Sequence, residues 1–135
     1  MSDEISIDLW TCPSKDDYRP IIHRNGLEGF YLRLNPGGGI YFLIKHPAGS
    51  MTIASEDFAG WYNTGEWVHI VGTFDHNGKI SIYVNGECKK IEKGKTGIIR
   101  EIKKGCQIGY CKSEINQFDG KIDEVRVSDT DRSTD

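Results

Sequence analysis

Apolar residues recur at every second position in six short stretches of this chain. Ile5, Ile7 and Leu9 alternate with Ser6, Asp8 and Trp10, and Phe30, Leu32 and Leu34 with Tyr31 and Arg33. Ile40, Phe42 and Ile44 alternate with Tyr41, Leu43 and Lys45. Val68, Ile70 and Phe74 alternate with Trp67, His69, Val71 and Thr73, and Ile80, Ile82 and Val84 with Ser81, Tyr83 and Asn85. Near the end, Val125 and Val127 alternate with Glu124, Arg126 and Ser128. A period of two puts one set of side chains on a core and the other on the opposite face of a strand. No stretch sustains the three-and-four spacing of an amphipathic helix.

The residues between the runs are turn formers. Asn25-Gly26, Asn77-Gly78 and Asn85-Gly86 supply the positive φ angles of tight hairpins. Pro36-Gly37-Gly38-Gly39 and Pro47-Ala48-Gly49-Ser50 predict looser connections, and Asp119-Gly120 a turn or bulge before the last clear strand. Short strands joined by hairpins predict an antiparallel two-sheet sandwich or barrel with little or no helix. Parallel βαβ units are excluded because no crossover helix is present to join them. Ser55 to Gly65 lacks a clean period and reads as a long loop, and Lys89 to Lys104 as a short strand followed by another loop.

Composition narrows the class. A chain of 135 residues suits one domain, 1–135, able to fold without a metal or disulfide framework. Its net charge of -3 argues against nucleic acid as a partner. The longest apolar stretches, such as Ile40 to Ile44, are too short to cross a bilayer. The first residues, Met1-Ser2-Asp3-Glu4, lack a basic-then-apolar leader. The four cysteines, Cys12, Cys88, Cys106 and Cys111, allow three complete pairings and include no Cys-x-x-Cys spacing, so buried thiols and disulfides both remain open.

Two segments resemble laminin-G-like domains of the concanavalin A-like jelly-roll class. One runs Gly65-Glu66-Trp67-Val68-His69-Ile70-Val71-Gly72-Thr73-Phe74-Asp75, then Gly78 to Gly86 through Tyr83-Val84-Asn85-Gly86. The other is Ile108-Gly109, followed by Phe118-Asp119-Gly120-Lys121-Ile122-Asp123-Glu124-Val125-Arg126-Val127. The opening Ile5 to Pro13, with Trp10, is similar to the family's early strand. The resemblance implies an extracellular or cell-surface recognition module and a calcium ion at one rim of the sandwich. Asp75 and Asp119, at predicted turns, are the candidate metal ligands, although Asp is also an ordinary turn residue. The family also has terminal strands before Ile5 and beyond Val127. Without them the resemblance implies open sheet edges, and either a fragment or a compact variant that forms a homo-oligomer through those edges.

Candidate chemistry favours binding over turnover. A glycoside hydrolase needs two carboxylates facing one sugar, about 5 to 10 Å apart. Asp123 and Glu124 are adjacent, so a regular strand would point them to opposite faces. Glu4 and Asp8 share a face but have no third carboxylate to complete a glucanase pattern. His23, His46, His69 and His76 occur in no nucleophile or metal motif. Aromatic rings that stack on sugar C–H faces offer a carbohydrate site. Trp61 and Tyr62, beside Asn63 in the irregular segment, are one candidate group, although they could equally plug the end of the sandwich. Trp67, His69 and Tyr83, alternating on one sheet face, are the other. The expectation is a non-catalytic module for a glycan, with a protein ligand as the alternative.

Overall fold

The computed structural model describes residues 4–23, 29–46, 49–96, 107–109 and 117–128. The described residues form ten strands: β1 (Ile5–Pro13), β2 (Arg19–His23), β3 (Phe30–Asn35), β4 (Gly39–Lys45), β5 (Met51–Glu56), β6 (Val68–Phe74), β7 (Lys79–Val84), β8 (Glu87–Lys93), β9 (Gln107–Ile108) and β10 (Gly120–Ser128). They form two five-stranded sheets, ordered β10-β1-β6-β7-β8 and β5-β4-β3-β2-β9. Every pairing is antiparallel. The only helical element among the described residues is a 3-10 turn, Pro36–Gly38. No helix among them is long and apolar enough to cross a membrane. The architecture is the two-sheet sandwich that the alternation predicts, of the jelly-roll type that the resemblance implies.

The alternating residues meet between the sheets. Ile5, Ile7, Leu9, Ile70, Phe74, Ile80 and Ile82 from one sheet pack against Ile22, Phe30, Leu32, Leu34, Ile40, Phe42 and Ile44 from the other. Gly72 on β6 marks a close approach of the two sheets. A Cβ there would lie 2.9 Å from the Phe42 ring, so the glycine is what lets that ring lie against the opposing sheet.

The hairpins obey the turn chemistry. Asn85 and Gly86, with φ of 50° and 84°, form the two-residue link between β7 and β8. The β6–β7 connection is held by Asp75, whose Oδ1 accepts the N–H groups of Asn77 and Lys79 at 2.9 and 3.0 Å. Asn25-Gly26, Cys106, Cys111 and the end of the Lys89 to Lys104 segment lie outside the described residues.

The segment expected as a loop from Ser55 to Gly65 differs from expectation at its start. Ser55 and Glu56 continue β5, paired with Tyr41 and Ile40. The residues after Glu56 are irregular yet tightly laced: the N–H groups of Phe58, Gly60 and Trp61 donate to the carbonyls of Pro36, Gly37 and Gly38. Gly38, at φ 78°, touches this segment so closely that a Cβ would lie 2.9 Å from the Gly60 Cα. The lacing drives Tyr62 into the core, where it is 5% exposed and its hydroxyl donates to the Asn35 carbonyl at 2.8 Å. Burial, reinforced by the charges of Asp16 and Asp17, pushes the Tyr62 phenol above the ordinary tyrosine range.

This packing sets two expected outcomes. Gly72→Val should lower stability by about 2 kcal/mol by overpacking, read as a lower urea midpoint, and Phe42→Leu in the same chain should restore part of the loss. Tyr62→Phe should cost about 1 kcal/mol for the lost hydrogen bond. Because the folded state holds the Tyr62 proton more tightly than the unfolded state, its contribution is whole below the unfolded value of about 10 and declines as pH rises above it. Ultraviolet titration of the native protein should therefore show one phenol, absent in Tyr62→Phe, that resists ionisation until the chain unfolds.

Candidate functional site

The same alternation that fills the core determines what the outer face of the β10-β1-β6-β7-β8 sheet presents. Asp8 lies opposite Val71, and Val71 opposite Tyr83. Trp10 lies opposite His69, and on its other side opposite Asp123. Trp67 immediately precedes β6, with outward His69 two residues further on. Trp10 and Trp67 are 39% and 47% exposed, large areas of indole left in water by a chain that buries most of its bulky apolar groups. With Asp123 and Glu124 they line an open depression of about 300 Å³, at the small end of the range for small-molecule sites.

The side chains around the depression are held from beneath. His69 lies 5.0 Å from the Trp10 ring, centroid to centroid, and its Nε2 is hydrogen-bonded to the Asp8 carboxylate. The His69 N–H donates to Asn85 Oδ1 at 3.0 Å, and its carbonyl accepts the Asn85 N–H at 2.8 Å. The β7–β8 hairpin thus clamps the strand that carries His69. On the other side, the Gly65 N–H donates to the Pro13 carbonyl at 2.8 Å, tying the approach to Trp67 to the end of β1.

The two carboxylates correct the expectation that Asp123 and Glu124 point to opposite faces. The register of β10 on β1 slips between Asp8, opposite Arg126, and Trp10, opposite Asp123, so β10 carries one extra residue there. Glu124 takes a left-handed φ of 52°. This bulge breaks the alternation, and both side chains line the same depression. The Glu124 N–H donates to Asp123 Oδ1 at 2.8 Å. On either side of the bulge, Ile122, Val125 and Val127 still pack on the core.

The structure separates the other residues singled out in the sequence. Tyr83 shares the outer face but not the lining of the depression. Trp61 packs partly buried against the core beside Tyr62, while Asn63 stays exposed with its Nδ2 donating to Glu66 Oε1 at 3.3 Å. Asp75 comes directly after Phe74, which pairs with Ile5, and Asp119 precedes Gly120, which pairs with Pro13. The two aspartates thus sit at opposite ends of β1, roughly 26 Å apart at about 3.3 Å per residue, so one calcium ion cannot take both as ligands. Among the described residues no three His, Cys, Asp or Glu side chains converge as a metal site. Cys12 and Cys88 are free thiols.

The outer face of the second sheet holds a cluster that sequence reasoning missed. The Arg33 guanidinium lies 4.2 Å from the Tyr41 ring centroid and 4.8 Å from that of Tyr18. Arg33 and Tyr41 alternate with core residues on paired strands, which is the signal that could have found them.

A laminin-G family model described as the concanavalin A-like lectin/glucanases superfamily matches residues 1–135. No curated protein matches. Among solved structures, the receptor-binding domain of botulinum neurotoxin type G is similar at 18% identity and a TM-score of 0.69, over 96% of this chain and 35% of that one. The heptameric SAP-like pentraxin from Limulus polyphemus is similar at 14% identity and a TM-score of 0.65, over 96% of this chain and 65% of that one. The binding domain of botulinum neurotoxin DC, solved in complex with SialylT, is similar at 17% identity and a TM-score of 0.66, over 96% and 33%. The chain spans about a third of the length of the toxin domains it matches.

Proposed function

This chain belongs to the concanavalin A-like lectin/glucanases superfamily, and from that premise we propose that it is a non-catalytic recognition module binding carbohydrate at the depression between Trp10 and Trp67. The observation that carries the reading is the pair of half-exposed indoles on one sheet face, flanking two carboxylates. Sugar rings stack their apolar C–H faces on indoles, and carboxylates accept hydroxyl hydrogens and fix the orientation of the ring. The core does not need these tryptophans, because both point away from it.

Recognition fits better than hydrolysis. A glycosidase pair flanks the scissile bond from opposite sides. Asp123 and Glu124 are neighbours on one bulge and approach the depression from one edge of the sheet. The fold neighbours include a pentraxin and a toxin domain solved with SialylT, which agrees with a binding role at an extracellular or cell-surface location. The reading does not depend on calcium. A protein ligand is the second reading, favoured by Met51 and Ile53, 52% and 38% exposed on the edge strand β5.

Glycan-array screening and then calorimetry should reveal a sugar ligand, with or without calcium. Trp10→Ala and Trp67→Ala should each weaken it by about five- to thirtyfold, the loss expected for a stacking contact of about 1–2 kcal/mol, with unfolding midpoints close to the parent. Tyr62→Phe, altered only in the core, should bind as the parent does. Reducing-end assays should detect no cleavage of the bound glycan. Capture of a protein partner through Met51 and Ile53, with no sugar bound at millimolar concentration, would establish the second reading instead.

A further inference from the structure

Resting on the carbohydrate reading, we propose that the sugar taken by this depression carries a free amine: an unacetylated amino sugar, presented as its ammonium ion. The lining consists of two indoles and two carboxylates, with no lysine, arginine or histidine among them. Each half favours a cation. The face of an indole ring carries negative potential and attracts an ammonium group lying over it, more strongly than phenol or benzene rings do. The carboxylates of Asp123 and Glu124, brought to one depression by the bulge, would both attract a positive charge held there. An acidic glycan bearing sialate, uronate or sulfate would meet two like charges in the same small space. A neutral glycan would gain the stacking but leave the paired anions uncompensated.

The chain does not supply that countercharge at the lining. Lys121 and Arg126, the basic residues on β10, lie opposite Cys12 and Asp8, one on each side of the bulge, and neither lines the depression. No ion pair between described residues engages Asp123 or Glu124. The imidazole of His69, stacked near Trp10, is hydrogen-bonded to Asp8. The indoles make the site more than a pair of acids: they give the sugar ring a platform and hold its amine within reach of the carboxylates.

The test compares four oligosaccharides of matched length by calorimetry at low salt: β-1,4-linked glucosamine, its fully N-acetylated form, the glucose counterpart, and a sialylated chain. The glucosamine oligomer should bind at least about tenfold more tightly than the acetylated one, and the advantage should shrink as salt rises to about 0.5 M. In the Asp123→Asn, Glu124→Gln double variant the ratio between the two should fall several-fold, the indole faces keeping only a small remaining preference, whatever happens to overall affinity. Trp10→Ala should lose glucosamine binding as well. Retention of amine binding in Trp10→Ala would mean diffuse attraction to an acidic surface and would overturn the proposal. Equal or tighter binding of the acetylated, neutral or sialylated chain would overturn the amine preference and leave the carbohydrate reading in place. Failure of all four sugars to bind would count against both.

Discussion

Two sheets can close on one another only if their inner faces interdigitate across a gap of about 10 Å, and in this protein the Phe42 ring meets that requirement by lying against Gly72. A larger residue on β6 would force either the ring or the strand to move. Because the ring stays, β4 and β6 are fixed face to face, and the registers of β3 on β4 and of β1 on β6 are fixed with them. A slip of one residue of β1 on β6 would send Ile7 and Leu9 into water and bring Asp8 and Trp10 into the core. The penalty for that exchange holds Trp10 opposite His69 and therefore positions the outer face.

The outer face is thus a by-product of core packing. Its residues are not needed to close the sandwich, so they are free to carry chemistry. Asp8 and His69 engage each other beside Trp10, and Asn85 ties the hairpin tip to the same strand. The floor of the depression is built on paired strands rather than on loops. A ligand meeting it would not have to pay for ordering the protein, which favours affinity from a small contact area.

Much of this was legible in the sequence because it depends on period and turn chemistry. The alternation through Ile5-Ile7-Leu9 and Val68-Ile70 assigned both the core and the opposite face, and Asn85-Gly86 announced its own hairpin. Trp67, His69 and Tyr83 were placed together because they share a parity. Trp10 had the same parity on the neighbouring strand, but strand order decides which outward residues become neighbours, and alternation does not encode that order. The bulge was missed for a subtler reason. Ile122 and Val125 are three apart while Val125 and Val127 are two apart, and that single change of spacing marks the extra residue that puts Asp123 and Glu124 on one side. Trp61 and Tyr62 sat in a segment with no period, so their inward direction came from hydrogen bonds to a distant turn, which local pattern does not reveal. Asp75 and Asp119 both read as turn residues, but only the pairing of β1 with β6 and β10 shows that they cap opposite ends of the sandwich.

The kink at Glu124 has a second effect, because among the described residues β10 is the border of its sheet. A flat border with unpaired N–H and C=O groups is a template on which foreign strands can add. An extra residue in left-handed conformation twists that border, and the charges of Lys121, Asp123, Glu124 and Arg126 keep it wet. The irregularity that brings two carboxylates to one face therefore also leaves the border twisted and charged. Straightening it would send Asp123 and Glu124 to opposite faces and flatten the border in the same step.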